Sequence, residues 1–322
     1  MSTTIEQLQS LKTWLEGQIV GQPTLIERLL IALIADGHLL VEGAPGLAKT
    51  KAIKTLSQGV EGDFHRVQFT PDLLPSDITG TDIYRPETSS FEFQQGPIFH
   101  NLVLADEINR APAKVQSALL EAMAEGQISV GKTTYTLPEL FLVMATQNPI
   151  EQEGTYPLPE AQLDRFLMHV RVDFPNSDAE KEILKLSRAE ASNQSSDANL
   201  PTVVSQETLF NAREDALAIH MSEAVEEYIV QLTMATRNAS AYGEDLARWL
   251  DFGVSPRATI SLDRCARAHA LLNNRDYVNP DDVRAVLHDV FRHRLLLSFE
   301  AEANGMTPDK IIDELIKRVP LA

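Results

Sequence analysis

The chain is short of cysteine, of basic residues and of long apolar runs, and each shortage closes off a class of function. One of its 322 residues is a cysteine, Cys265, so no intrachain disulfide forms. Its place between Leu262 and Ala266 in a helical pattern reads as a buried structural thiol, not a nucleophile. Lys and Arg number 28 against 46 Asp and Glu, a net charge of −18. That excess works against broad attraction to nucleic-acid backbones or anionic lipid, although a local basic groove is compatible with it. No apolar run approaches the roughly 18 residues of a membrane span, so no membrane insertion is expected. The opening Met1-Ser-Thr-Thr-Ile-Glu-Gln-Leu-Gln lacks the basic and apolar regions of a secretory signal, and the expected location is cytoplasmic. Trp14 and Trp249 lie outside any basic, aromatic-rich stretch and read as packing residues, not base-stacking platforms. His288 and His293 stand five apart beside Arg292 and Arg294, which disfavours a metal and suggests a solvated helix end.

What is present begins with a glycine-rich turn. Gly43, Ala44, Pro45, Gly46, Leu47 and Ala48 lead into Lys49 and Thr50, after the apolar run Leu39-Leu40-Val41 and before a helical pattern. Strand, loop and helix start in that order place backbone N–H groups and a positive helix end around an anion. Lys49 would reach the β- and γ-phosphates of ATP, and Thr50 would ligate Mg²⁺. Ala48 departs from the generic pattern, which has glycine before the lysine. Taken alone, such a turn also serves as a plain connector.

A second run, Asn101 to Ala105, ends in Asp106 and Glu107. This suits a buried parallel strand whose C-terminal end opens onto a ligand crevice. Asp106 would hold the metal and Glu107 would polarise the attacking water. A strand followed by an acidic helix cap is the alternative, but the loop about 55 residues upstream puts both features in one α/β sheet. Val143 to Asn148 is a further apolar strand with an amide at its end, placed either to position water or simply to end the strand before Pro149. Arg165, in Leu158-Pro-Glu-Ala-Gln-Leu-Asp-Arg-Phe166, is either a surface ion-pair residue or a finger reaching a neighbouring subunit's nucleotide.

The expected organisation is an α/β nucleotide-binding domain over residues 1–175, a connecting helix and linker over 176–205 and an all-α lid over 206–322. Gln194 to Pro201 reads as the linker. Helical patterns follow over Ala224 to Thr236, Pro256 to Leu272 and Asp281 to Arg292, the last capped near Asn279-Pro280.

Gly43 to Thr50, Ala105-Asp-Glu-Ile-Asn-Arg-Ala-Pro112, Ala145-Thr-Gln-Asn-Pro149, Leu158 to Phe166 and Gly253-Val-Ser-Pro-Arg-Ala258 occur in an order that resembles the MoxR family of AAA+ ATPases. Ala48 is the residue this family resembles in having there. The resemblance implies a P-loop AAA+ core, a parallel sheet flanked by helices, with a C-terminal helical lid. It implies that Ile19-Val20-Gly21-Gln22 contacts adenine, that Lys49 and Thr50 serve phosphate and Mg²⁺, and that Asp106 and Glu107 are the metal and catalytic carboxylates. Asn148 would be the first sensor and Arg165 the arginine finger. Arg257 would be the second sensor, touching the γ-phosphate from the lid, although by position alone it is an ordinary first-turn residue after Pro256. A homo-oligomeric ring, usually hexameric, follows from a finger acting between subunits.

The family also resembles a clade of ring ATPases carrying an insertion near the second helix and a hairpin before the first sensor, which Thr70 to Phe99 and Gly126 to Leu142 would supply. The first holds Arg85 against Asp72, Asp77, Asp82, Glu87 and Glu92, which favours a protein client over nucleic acid. The expected function is ATP-driven remodelling or activation of partner proteins, by resemblance often carrying a von Willebrand factor A domain, with metal-cofactor insertion or complex maturation as outcomes. A nucleotide-gated scaffold and a DNA-acting motor are the alternatives.

Overall fold

Successive residues of each central strand belong to opposite hydrophobic clusters. Leu39 and Val41, Leu102 and Leu104, and Leu142 and Met144 face one cluster, whereas Leu40, Val103, Ala105, Val143 and Ala145 face the other. Strands buried on both faces read as continuous apolar runs, which is why these segments stand out in the sequence. The computed structural model describes residues 2–149, 154–191 and 203–321.

Helices α1 (Ser2–Gln18) and α2 (Pro23–Ile34) precede β1 (Leu39–Gly43), α3 (Lys49–Gly59) and β2 (Phe64–Gln68). The first insertion contains α4 (Pro75–Thr79) and a hairpin of β3 (Gly80–Arg85) and β4 (Ser90–Gln95). Next come β5 (Leu102–Asp106), α5 (Ala113–Glu125), a second hairpin of β6 (Gln127–Val130) and β7 (Thr133–Thr136), then β8 (Leu142–Gln147), α6 (Glu160–Leu163) and β9 (Met168–Val172). Strands pair in the order β2-β5-β8-β1-β9, all parallel. The C-terminal ends of β1, β5 and β8 therefore open on one edge of the sheet, where ligands bind in such folds.

After α7 (Ser177–Ala191) the chain forms α8 (Gln206–Ala218), α9 (Glu223–Arg237), α10 (Glu244–Trp249), α11 (Pro256–Leu272), α12 (Pro280–Phe291), α13 (Phe299–Ala303) and α14 (Pro308–Arg318). This region is not purely helical, because β10 (Leu250–Phe252) pairs antiparallel with β11 (Leu296–Leu297); strands of three and two residues are too short to show a period. The expected linker over Gln194 to Pro201 lies outside the described residues. Helix α11 packs on α2, α8 and α12, so the C-terminal helices share one apolar cluster with the N-terminal pair.

Cys265 is fully buried there, and burial pushes its thiol up to about 12. His293 corrects the reading of a solvated helix end: it is buried, with Nε2 3.1 Å from the Phe166 carbonyl oxygen, and burial with nearby Arg294 holds it well below its ordinary pKa. His288 stays partly exposed, 3.0 Å from Asp313. Trp14 and Trp249 pack on the core. The two hairpins meet where the Phe93 and Tyr135 rings stack at 3.9 Å.

Asp282 joins the C-terminal helices. Its backbone N–H donates to Asn279 Oδ1 at 3.0 Å while its carboxylate accepts the Asn279 N–H at 2.8 Å, a reciprocal cap on α12. The same carboxylate binds His269 Nδ1 at 2.6 Å and the Arg275 guanidinium. Burial works to raise its pKa, but the hydrogen bonds from His269 and Arg275 outweigh it and the value falls below the usual 3.8. With the folded pKa depressed, this stabilisation is full above the unfolded value and disappears as pH falls through the folded one. Asp282→Ala is expected to cost about 3–5 kcal/mol at neutral pH, and urea melts should show the deficit shrinking below about pH 3.8.

Candidate functional site

The turn between β1 and α3 is built from two left-handed residues, Gly46 at φ +84° and Ala48 at φ +57°. Alanine tolerates this region at a cost of about 1–2 kcal/mol. Ala48 is also the N-cap of α3 and carries no side chain to cap it. The first turn of α3 thus lines the crevice with no capping bond from its N-cap side chain, as suits an anion site. Gly43 is needed for packing, since a Cβ there would lie 2.7 Å from the Val172 carbonyl oxygen.

Pro45, Gly46, Leu47, Ala48, Lys49 and Thr50 line a cavity of about 320 Å³ together with Asp106, Glu107, Thr146, Gln147 and Asn148. The chain thereby brings together most of the residues singled out in the sequence, from three strand ends. Lys49 Nζ turns back onto the carbonyl oxygens of Gly43 and Ala44. Burial lowers its pKa, against the pull of Asp106, Glu107 and Glu42.

The two carboxylates are held by groups that the sequence reading missed. Thr146 Oγ1 donates to Asp106 Oδ1 at 2.6 Å and accepts the Glu107 N–H at 2.9 Å. Arg66 on β2 donates twice to Asp106 Oδ2, at 3.0 and 2.6 Å, and also to Gln68 Oε1 at 2.9 Å. Gln68 Nε2 then donates to Glu107 Oε2 at 2.8 Å, which Arg110 also reaches at 3.0 Å. Glu107 sits at φ +57°, a strained conformation of the kind that clusters at active sites. Two signals were available, the polar alternation of Arg66 and Gln68 beside Asp106 and the threonine in Ala145-Thr-Gln-Asn148.

An apolar slot of about 260 Å³ adjoins this cavity and shares Pro45 to Ala48 with it. Ile19, Val20, Phe174, Ile183 and Leu186 form its walls. Gly21, at φ +83°, packs so closely on Pro175 that a Cβ would approach its side chain to 3.0 Å. A polar cavity with two lysines, Lys49 and Lys51, and two carboxylates beside a mostly apolar slot has the donor set that a Mg²⁺-nucleotide would need.

Arg165 and Arg257 lie elsewhere. They line a third cavity of about 240 Å³ with Asp36, Gly37, His38, Asp164 and Arg264. His38 precedes β1 and Gly43 ends it, so this cavity and the loop lie at opposite edges of the sheet, roughly 16 Å apart at about 3.3 Å per residue. Arg257 therefore does not touch the phosphate loop of its own chain, contrary to the simplest form of the second-sensor expectation. Arg165 Nη1 donates to the Leu120 carbonyl oxygen at 2.8 Å, and Arg257 Nη1 stands 3.7 Å from Asp164. His38 underpins this face: Nδ1 accepts the Val143 N–H at 3.0 Å, Nε2 lies 3.2 Å from the Met123 carbonyl oxygen, and burial lowers its pKa to about 4. It is a neutral structural imidazole.

Comparison with known proteins agrees with this fold. Residues 38–168 match the ATPase family associated with various cellular activities (AAA), and residues 247–315 match the AAA lid domain. The chain is 46% identical over 304 residues to Chaperone MoxR1 of Mycobacterium tuberculosis, covering 94% of this chain and 79% of the other. It is 34% identical to Protein MoxR of Paracoccus denitrificans, covering 95% and 94%. The crystal structure of a putative ATPase from Cytophaga hutchinsonii superposes with a TM-score of 0.91 at 45% identity, covering 99% of this chain and 96% of that one. No helix among the described residues is long and apolar enough to cross a membrane.

The Thr146 hydroxyl bridges both carboxylate-bearing residues, and valine has the same shape without the hydroxyl. Thr146→Val is expected to destabilise the fold by about 1–3 kcal/mol through the unpaired buried groups. Thr146→Ser should recover most of the loss, as read by thermal denaturation.

Proposed function

Because the chain belongs to the MoxR family of AAA+ ATPases, we propose that it hydrolyses ATP at sites completed between the subunits of a hexameric ring, and uses the cycle to remodel or activate protein clients. The loop from Gly43 to Ala48 and the start of α3 bind the phosphates, Lys49 draws charge from the β- and γ-oxygens, and Thr50 and Asp106 hold the metal. Mg²⁺, when bound, neutralises charge that develops between the β- and γ-phosphates. Arg66, the present charge partner of Asp106, yields to it. Glu107 takes a proton from the attacking water, and Asn148, buried at the cavity wall, orients that water. Ile19 to Gln22 hold the base. Arg165 and Arg257 reach the neighbouring subunit's γ-phosphate. The same reading divides the chain into a nucleotide-binding domain over 1–175, a connection over 176–205 and a lid over 206–322.

The single observation behind this proposal is that the arginine face and the phosphate loop occupy opposite edges of one sheet. A subunit so built can serve only another subunit's nucleotide with its arginines. Contact between unlike patches generates a ring when the rotation closes. A protein client is favoured by the first hairpin, whose exposed residues include the aromatic pair Tyr84 and Phe91, 5.3 Å apart, and whose charge is acidic. Partners with a von Willebrand factor A domain, and outcomes such as metal-cofactor insertion or complex maturation, belong to this reading. The grip of Gln68 and Arg110 on Glu107 favours a second one, a scaffold gated by nucleotide binding in which turnover is dispensable.

ATP hydrolysis per subunit should climb with protein concentration and fall roughly 10³-fold or more in Arg165→Ala. A rate independent of concentration and of Arg165 would refute shared sites. Glu107→Gln should bind ATP without turning it over and should trap a protein partner in pull-downs. If that variant keeps full biological activity while Lys49→Ala loses it, the scaffold reading prevails.

A further inference from the structure

Arg264 shares a cavity with Arg165 and Arg257. On α11, Arg257, Ile260, Ser261 and Arg264 fall at the i, i+3, i+4 and i+7 positions of one helix face, and all four line that cavity. Two carboxylates line it as well, but each already has an arginine partner. Asp36 lies 2.9 Å from Arg213, and Asp164 is 2.8 Å from Arg294. Arg264 is exposed and has no carboxylate within salt-bridge distance among the described residues. Arg257 stands in the first turn of α11, where the helix dipole disfavours a cation and the turn itself holds no acidic residue, and it shares Asp164 with Arg294, standing 3.7 Å from that carboxylate. A chain with a net charge of −18 thus sets Arg165, Arg257, Arg264 and Arg294 against only Asp36 and Asp164 on one concave face. Such a face is complementary to a polyphosphate.

We propose that Arg264 is a third cation supplied to the neighbouring subunit's nucleotide, binding its phosphates beside Arg165 and Arg257. This rests on the between-subunit reading of those two arginines. Arg257 and Arg264 are seven residues apart, about 10 Å along the helix, so the row spans more than one phosphate. Arg165, from the α6 segment, and Arg257 flank one end, and Arg264 extends the row along α11. Ile260, 55% exposed between them, is an apolar contact that subunit association would cover.

The test is complementation between variants in Mg²⁺-dependent ATP hydrolysis, at concentrations where the rate per subunit no longer rises. Arg264→Ala alone is expected to lower that rate roughly 10- to 100-fold, and Arg264→Lys to retain more of it, since lysine also binds phosphate as a point charge. ATP affinity should fall for the assembled variant but not for dilute, unassembled subunits. Mixing Arg264→Ala with Lys49→Ala should regain activity to about a quarter of wild type, since one interface in four then joins an intact loop to an intact arginine face. An undiminished rate in Arg264→Ala overturns the proposal. So does a mixture that stays inactive while the parallel mixture of Arg165→Ala with Lys49→Ala recovers. Failure of both mixtures overturns the between-subunit reading, and this inference with it.

Discussion

A parallel sheet has two chemically different edges, and the arrangement of this molecule depends on that difference. Every strand of β2-β5-β8-β1-β9 points the same way, so the loops after the strands gather on one side and the segments before them on the other. Gly43 to Thr50, Asp106, Glu107 and Asn148 stand at or just beyond the C-terminal ends of their strands. Gly37 and His38 precede β1, and the cavity they line carries the arginines. With β1 about 16 Å long, no rotamer carries Arg165 to Lys49 of the same chain. The separation is imposed by backbone polarity, and side-chain motion does not remove it.

The arginine face nevertheless depends on one carboxylate. Asp164 accepts from the Ser255 hydroxyl at 2.9 Å through both oxygens and from Arg294 Nε at 2.8 Å. Ser255 is the N-cap of α11, which carries Arg257 and Arg264, while Asp164 adjoins Arg165 in sequence. Arg294 adds bonds to the carbonyl oxygens of Phe166 at 2.6 Å and Leu167 at 3.2 Å. Its guanidinium is nearly inaccessible, so either half of this pair left alone would be a buried, uncompensated charge. The joint therefore holds arginines from two parts of the chain at a fixed separation, as a site for a charged transition state requires.

The strands and the phosphate loop were legible because burial on both faces demands unbroken apolar runs, and because a loop around an anion has few alternatives to Gly43, Gly46 and Lys49. Helices such as Pro256–Leu272 were legible from their caps and period. The supporting groups were not. Arg66 and Gln68 act through pairing of β2 with β5: their polar alternation is visible in the sequence, but it does not name a partner 40 positions away. His293 looked solvated because its neighbours are Arg292 and Arg294, yet both arginines turn inward to Asp164, Asp289 and Asp309 and carry the histidine into the core. The placement of Arg257 was hidden for a related reason: its motif names a residue type, while its destination is set by how α11 docks on α2 and α12.

Both carboxylate supports run straight into an insertion. Strand β2, which presents Arg66 and Gln68, continues through Phe69 toward α4 and the hairpin of β3 and β4; Phe69 is fully buried and its N–H donates to the Asp106 carbonyl oxygen at 2.8 Å. Strand β8, which presents Thr146, is entered from the hairpin of β6 and β7 by way of buried Leu137, Leu140 and Phe141. The two hairpins are tied together by the stacked rings of Phe93 and Tyr135, and Phe93 is itself braced edge-on by Phe99 of its own insertion. Close-packed interiors shift between discrete arrangements and do not deform smoothly. A load on the joined hairpins therefore acts on two neighbouring strands at once, and those strands position Asp106 and Glu107 through Arg66, Gln68 and Thr146. The insertions bear on Asp106 and Glu107 through short, buried paths along β2 and β8.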